Sequence, residues 1–318
     1  MNRPNIIAEI GVNHENDINL AKRMISECKG LAWAVKFQYY KADLLASPFA
    51  DSYWHENIKQ NTYFKQYDLW GIDEYKELSY YTHSLGLQFI VTPFHLEAVD
   101  ELEPYVDWYK IASSDITNLQ LIRKVNSKNK PVSISTGGAS EEEILKAKDN
   151  LNNPIMLHCI LDYPAGNVDL EKIKQEYIKG YSDHAHFNLN ILTTAWLLGA
   201  EYIEKHYTYD KTLPGNDHYH AMDRYDLLTW NTHIDRVLDL MQPNTNEGVN
   251  KLQARRSLFY KKDLLEGHVL TEDDLICLRP GTFIPADRID SVIGLPLTQE
   301  VEKYSPVLSD DLGEIWEN

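Results

Sequence analysis

The 318-residue chain is predicted to fold as a (β/α)8 barrel followed by a small, mainly β module. Three observations carry this. Over the first 208 residues, eight short β-rich apolar runs alternate with polar loops and helically spaced segments. Polar and ionisable residues gather at the ends of those runs. After residue 253 the texture changes to short β runs broken by Gly and Pro. Strands alternating with helical patterns argue for a parallel sheet. Eight such units at this length argue for a closed barrel rather than an open sheet.

The runs are Ile6–Gly11, Ala34–Gln38, Gln88–Phe94, Trp108–Ser113, Pro131–Gly138, Ile155–Ile160, Lys179–His184 and Tyr202–Thr208. Between them, amphipathic helices are predicted at Asp73–Leu85, Ser140–Asn150, Asp169–Ile178 and Phe187–Leu198. Ser140 followed by Glu143 reads as a capping box. Residues 39–70 and 209–224 read as long βα loops, and Tyr225–Met241 as a last helix. Residues 1–241 are thus expected to form the barrel and 254–318 the β module. The polar, turn-rich stretch 242–253 between them reads as a structureless linker.

Composition excludes several function classes. Acidic residues number 48 and basic ones 31, a formal net charge of −17. That charge opposes generic binding to nucleic acid or to an anionic membrane, while leaving room for a local basic pocket. No apolar run approaches the ~18 residues of a membrane span, and the N-terminus lacks the marks of a signal peptide. Cys28, Cys159 and Cys277 are odd in number and far apart, as reduced thiols of a cytoplasmic protein would be.

In a barrel the active site lies at the C-terminal ends of the strands. Those ends offer Glu9, Lys36 and Gln38, Thr92, Lys110 and Ser113, Ser133 and Ser135, His158, Ser182 to His184, and Glu204 with His206. Residues two apart on a strand share a face. Burying so many polar groups is costly unless they are paired or used. His184 and His206 end neighbouring strands, ~4.8 Å apart, and with a carboxylate such as Glu9 would suit Mn²⁺, Fe²⁺ or Zn²⁺. Lys36, Lys110, Ser113, Ser135 and Ser182 form a candidate cradle for a phosphate or carboxylate. A buried Lys36 or Lys110 could equally be a Schiff-base nucleophile. The Ser135-Thr136-Gly137-Gly138 stretch is a weak phosphate-loop signal.

The strings AEIGVNHEN, VKFQ, TPFHLEAVD, YKIASSDITN, ISTGG, LHCILDYP, GYSDH, IEKHYT and LPGNDH run through the chain in order. Together they resemble the sialic acid (N-acetylneuraminate) synthases, a family of phosphoenolpyruvate-dependent nonulosonate synthases. RRSLFYKKDLLEGHVLTEDDL and LRPGTFIPADRIDSVIG resemble the family's antifreeze-like, or SAF, domain. The resemblance implies condensation of phosphoenolpyruvate with an aldose of the N-acetylmannosamine type, giving a 3-deoxy 2-keto sugar acid and phosphate. It implies a divalent metal, usually Mn²⁺ or Mg²⁺, held by His184 and His206. Lys36, Lys110, Ser113, Ser135 and Ser182 would hold phosphoenolpyruvate, and Glu9 would position water or relay a proton. Gln38, Tyr163, Glu204 and Asp217 would face the acceptor sugar. It also implies a domain-swapped homodimer in which Arg279 reaches the partner's site.

The chain departs from the family pattern at several places. Ser114-Asp115 replace a Gly-Glu pair, putting Asp115 where the family has a longer carboxylate of catalytic or sugar-contacting role. Ile160 and Leu161 replace a Thr and a polar residue. Tyr219-His220-Ala221-Met222-Asp223 replace a Lys-Ala-Ser continuation. Most of these changes border the expected acceptor site, so an acceptor other than plain N-acetylmannosamine is expected. The competing readings are a Schiff-base pyruvate aldolase and a non-catalytic sugar-binding relative.

Overall fold

A computed structural model describes residues 2–52, 58–215, 217–243 and 247–313. Within it the chain divides into two compact units, Met1–Leu240 and Met241–Asn318.

The first unit runs β1 (Asn5–Gly11), α1 (Ile18–Cys28), β2 (Ala34–Tyr39), α2 (Ala42–Leu45), α3 (Gln60–Phe64), α4 (Ile72–Ser84), β3 (Gln88–Pro93) and α5 (Leu96–Leu102). It continues with β4 (Trp108–Ile111), α6 (Leu119–Asn126), β5 (Val132–Ser135), α7 (Glu141–Asp149), β6 (Ile155–His158) and β7 (Ile178–Asp183), then α8 (Leu189–Leu197), β8 (Tyr202–His206) and α9 (Arg224–Leu240). The eight strands form a closed parallel barrel in chain order, with β1 pairing both β2 and β8. This is the predicted (β/α)8 architecture.

Strand alternation sorts the barrel wall into two faces. Outward residues such as Ala8, Ile10, Val35, Phe37, Phe89, Val91, Ile134 and Ile203 join the main hydrophobic cluster with the surrounding helices. Inward residues are layered. At the N-terminal end, Ile7, Ala34 and Ile90 pack with Trp33, Trp108 and Tyr202. The three aromatic rings sit 5.1, 5.5 and 5.6 Å apart and plug the barrel floor. Two residues further along each strand the inward positions become Glu9, Lys36, Thr92, Lys110 and Glu204. The apolar floor leaves those groups only one direction in which to meet water or ligand.

Local chemistry sets the helix ends. Ser140 and Glu143 form the expected reciprocal cap of α7, and Asn188 caps α8. The structure corrects the helix expected at Asp169–Ile178. Only a 3-10 turn, Leu170–Lys174, is present, and Ile173 is its one buried residue. Asp169 is already left-handed at φ 40° and Gln175 already extended before β7 begins, which leaves room for a single turn. The loop 39–70 is also less irregular than its composition implies, since it carries α2 and α3; its residues 53–57 lie outside the described residues.

The second unit contains α10 (Glu247–Ala254), β9 (Ser257–Tyr260), β10 (Leu275–Leu278) and α11 (Ile289–Val292). Helix α10 overlaps residues 242–253, the stretch expected to be a structureless linker. Lys251, Leu252, Gln253 and Ala254 are good helix formers, and Gly281 N–H donates to the Leu252 carbonyl at 2.7 Å near its C-terminal end. The β character is confined to the antiparallel β9–β10 pair and isolated bridges, three of them at Pro285, Pro296 and Pro306. Proline has no N–H to extend a ladder, so these contacts stay single. Leu258, Tyr260, Leu264, Leu270, Val292, Leu297 and Val307 form this unit's own core. No helix among the described residues is long and apolar enough to cross a membrane.

Candidate active site

The inward polar layer converges on one cavity at the C-terminal end of the barrel. It is lined by Glu9, Lys36, Gln38, Thr92, Phe94, Lys110, Ala112, Ser113, Ser135, Tyr163, His184, Glu204 and His206. Strand register brings these groups together: Glu9 lies opposite Lys36 on β2 and opposite His206 on β8, and Ser182 opposite Glu204.

Four charges form the floor. Lys36 Nζ is 2.8 Å from Glu9 Oε1 and 3.7 Å from Glu204 Oε1, and Lys110 Nζ is 3.2 Å from Glu204 Oε1. Ser182 Oγ donates to Glu204 Oε1 at 2.9 Å, and Gln38 Nε2 to Glu9 Oε1 at 3.1 Å. All four charged side chains are buried. Burial would raise the Glu204 pKa, but Lys110, Lys36 and the Ser182 hydroxyl outweigh it and hold the carboxyl at about 2. Burial would lower Lys36, yet Glu204 and Glu9 push it above the usual lysine value. Lys110 is lowered by burial, with Glu204 opposing and Lys36 adding to the shift. Both lysines pair with carboxylates, so the floor is a connected network of two lysines and two glutamates. Glu9 Oε2 and Glu204 Oε2 are buried without a hydrogen-bond partner. Those two oxygens are ready acceptors for a hydroxyl or a water.

Imidazoles form the rim. His184 Nδ1 lies 2.6 Å from the Ile160 carbonyl. That oxygen only accepts, so Nδ1 carries the proton and Nε2 keeps its lone pair. Tyr163 stacks on His184 with centroids 4.3 Å apart, its hydroxyl 3.5 Å from Nε2. The His184 and His206 rings are 5.9 Å apart. Among the described residues, the ligating atoms of His206, Asp217 and His220 lie within 4.8 Å of one another. Desolvation lowers His184 to about 4 and His220 to about 3, and drives His206 well down, so all three are neutral. Neutral imidazole is the form that binds a metal. His206 Nδ1 and both nitrogens of His220 are buried without hydrogen bonds. This donor set fits a divalent cation.

The loop after β8 is fixed to the loop after β1. Asn13 Nδ2 donates to the Tyr207 carbonyl at 3.0 Å, and its Oδ1 accepts from Asp217 N–H at 3.2 Å. His218 bridges Thr208 Oγ1, 2.7 Å away, and Glu15 Oε1, 2.9 Å away. Asp217 thereby comes within 3.4 Å of His206. Desolvation, then the charge of Glu9, raises Asp217 to about 7.

Not every predicted residue joins the cavity. Asp115 ends the turn after β4, outside the lining set, with Asn118 Nδ2 donating to it at 3.0 Å. Arg279 belongs to the second unit, exposed directly after β10. Gly137 is needed for packing: a Cβ there would come within 2.6 Å of Cys159 Sγ. Asp183 points out of the barrel and pairs with Lys205 at 2.7 Å, both fully buried.

The NeuB family matches residues 24–245, and a SAF domain matches residues 255–313. The chain belongs to the NeuB family. Among curated relatives, the N,N'-diacetyllegionaminic acid synthase of Legionella pneumophila is 32% identical, covering 95% of this chain and 93% of its own. The synthase of the same name from Campylobacter jejuni is also 32% identical, covering 95% and 98%. The human N-acetylneuraminate-9-phosphate synthase is 28% identical over 96% of this chain and 91% of its own. A sialic acid synthetase of Leptospira borgpetersenii, crystallised with citrate, superposes with a TM-score of 0.68 at 32% identity, covering 78% of this chain and 90% of that one. This NeuB-family chain is an enzyme of the nonulosonate-synthase type.

Within the NeuB-family site, His220, whose ring lies 5.0 Å from that of His206, is a residue that reading the sequence did not single out. It was visible as one of five departures at 219–223, but its distance from His206 in sequence gave no sign that the two rings meet. Lys205 was missed for the opposite reason: its neighbours Glu204 and His206 drew attention to the inner face.

Proposed function

We propose that the enzyme condenses phosphoenolpyruvate with an amino-sugar aldose, releasing phosphate by C–O cleavage and giving a sialic-acid-like 3-deoxy 2-keto acid. The observation that carries this reading is the buried Lys36–Glu9–Lys110–Glu204 network beneath a rim of neutral imidazoles. Lys36 and Lys110, with Ser113, Ser135 and Ser182, supply the charge and donors that the phosphate and carboxylate of phosphoenolpyruvate need. As C3 attacks the aldehyde carbon, positive charge grows at C2. Glu9 and Glu204 face that charge with unpartnered oxygens and direct the water that adds there. Gln38 holds Glu9 in place. A divalent ion, Mn²⁺ in our reading, held by His184 and His206 would supply Lewis-acid stabilisation of the aldehyde oxygen. Gln38, Tyr163 and Asp217 would bind the sugar.

For the acceptor we propose a 6-deoxy diacetamido aldose. Support comes from the two legionaminic acid synthases among the relatives and from the half-exposed, apolar Leu161 beside Gly137 and Gly138. We also propose a homodimer in which Arg279 serves the partner's site; the exposed position of Arg279 supports it.

The test is phosphate release from phosphoenolpyruvate with a panel of amino and diacetamido aldoses, with and without chelator. Chelator-sensitive release, fastest with a diacetamido aldose, is expected. A higher kcat/KM for N-acetylmannosamine would overturn the acceptor assignment. Covalent trapping with pyruvate and borohydride would overturn the synthase in favour of an aldolase.

A further inference from the structure

We propose that His220 is a third imidazole ligand of the divalent ion, and that it shifts the site toward metals that favour nitrogen, such as Co²⁺ and Zn²⁺, over Mg²⁺. This rests on the reading that the barrel mouth holds a divalent ion.

Three features of the structure support the assignment. His220 is fully buried, yet neither ring nitrogen has a hydrogen-bond partner. Leaving buried polar groups unsatisfied destabilises a fold, so the position calls for a partner, and a metal ion beside His206 and Asp217 would supply one. Its ring lies 5.0 Å from that of His206, and its Nε2 is 3.9 Å from Asp217 Oδ1. The placement is also fixed by the backbone. Met222 bridges Tyr207, with Met222 N–H donating to the His206 carbonyl at 2.8 Å and Thr208 N–H to the Met222 carbonyl at 2.9 Å. The returning chain therefore runs beside the end of β8 and delivers the residue two positions earlier against His206. Tyr219, whose hydroxyl donates to the Tyr163 carbonyl at 2.9 Å, packs on the His220 ring.

Adding an imidazole to two others raises affinity most for metals high in the usual divalent series and least for Mg²⁺, an oxygen-seeking ion. The consequence is a metal preference set by His220, beyond what His184 and His206 would impose.

The test uses the full chain stripped of metal and titrated with Co²⁺. In the Co²⁺-loaded wild type, proton NMR counts the exchangeable imidazole N–H signals shifted by the paramagnetic ion. Three signals are expected, and two would overturn the proposal. By competition with a chromogenic chelator, His220→Ala is expected to weaken Co²⁺ binding by at least about tenfold, with a smaller loss for Mg²⁺. Unchanged Co²⁺ affinity in a folded His220→Ala protein would overturn it. If His220→Ala fails to fold, the wild-type signal count decides alone. His206→Ala separates the two readings. If it loses Co²⁺ binding while His220→Ala does not, only the role of His220 falls; if neither variant changes binding, the metal site at the barrel mouth falls as well.

Discussion

Strands β7 and β8 carry two buried ionic arrangements, one on each face of the same wall. On the outer face, Asp183 and Lys205 pair one to one at 2.7 Å and both are inaccessible to solvent. Tyr181 donates a further bond to Asp183 Oδ1 at 2.8 Å, and Lys205 reaches the Ala185 carbonyl. On the inner face, one residue away in sequence, Glu204 is shared between Lys36 and Lys110 and keeps an oxygen without a partner. On the outer face each Asp183 oxygen lies against a polar partner, Oδ2 against Lys205 and Oδ1 against Tyr181. The inner network is open toward a cavity, and its two lysines repel each other. Burial alone therefore does not mark a candidate functional charge; burial at the wall of a cavity does.

The sharpest way to break this comparison is to remove one partner from each face. Lys205→Met leaves Asp183 buried and unpaired, and is expected to cost about 3–5 kcal/mol of stability. Thermal unfolding should report a Tm several degrees lower, and Lys205→Met combined with Asp183→Leu should restore much of it. Equal Tm for Lys205→Met and wild type would show that the outer pair contributes nothing.

Lys110→Met on the inner face is expected to do the reverse. Glu204 keeps Lys36 and Ser182, so stability should fall less than with Lys205→Met. Phosphate release should drop by roughly 10²–10³ in kcat/KM, as for loss of a group that stabilises transition-state charge. Steady-state kinetics beside denaturation curves would check both halves. A Lys110→Met enzyme that is unstable but fully active once folded would place both arrangements in the same structural class.

A smaller effect is expected in the second unit, where Asp274 is another buried carboxylate. Lys262 lies 2.7 Å and His268 2.9 Å from it, and Thr271 donates to it. Burial opposes its charge, but these partners hold its pKa below the usual carboxylate range. Lys262 and His268 are substantially exposed, which limits the gain. Asp274→Asn should cost about 1–2 kcal/mol. A depressed pKa contributes stability above the unfolded value of about 3.9 and loses it as pH falls from there. The gap between wild type and Asp274→Asn should therefore close in acid. A gap that widened below pH ~4 would reverse the sign assigned to this group.

Much of the site could be read from order and spacing alone. Period-two alternation put Glu204 with His206, and Lys36 with Gln38, on shared faces; the eightfold βα pattern placed their strands in one ring. The helix at Asp169–Ile178 failed because its composition suits a helix while its length between two fixed turns does not. Asp115 lies outside the cavity lining, because proximity in sequence to Ser113 does not fix where a side chain points after a turn. His220 could not be found, since its placement depends on contacts of Asp217 with Asn13, of His218 with Thr208 and of Met222 with the end of β8 that no local pattern encodes.

The sequence by itself therefore determined the barrel, its alternating faces, the family, and which strands would carry the lysines, glutamates and two of the histidines. These follow from short-range periodicity and ordered motifs, which survive in one dimension. Only the tertiary structure decided which buried charges line the cavity and which do not, and which third imidazole meets His206. Those outcomes depend on distances between groups brought together by barrel closure and loop return, and no local pattern encodes a distance.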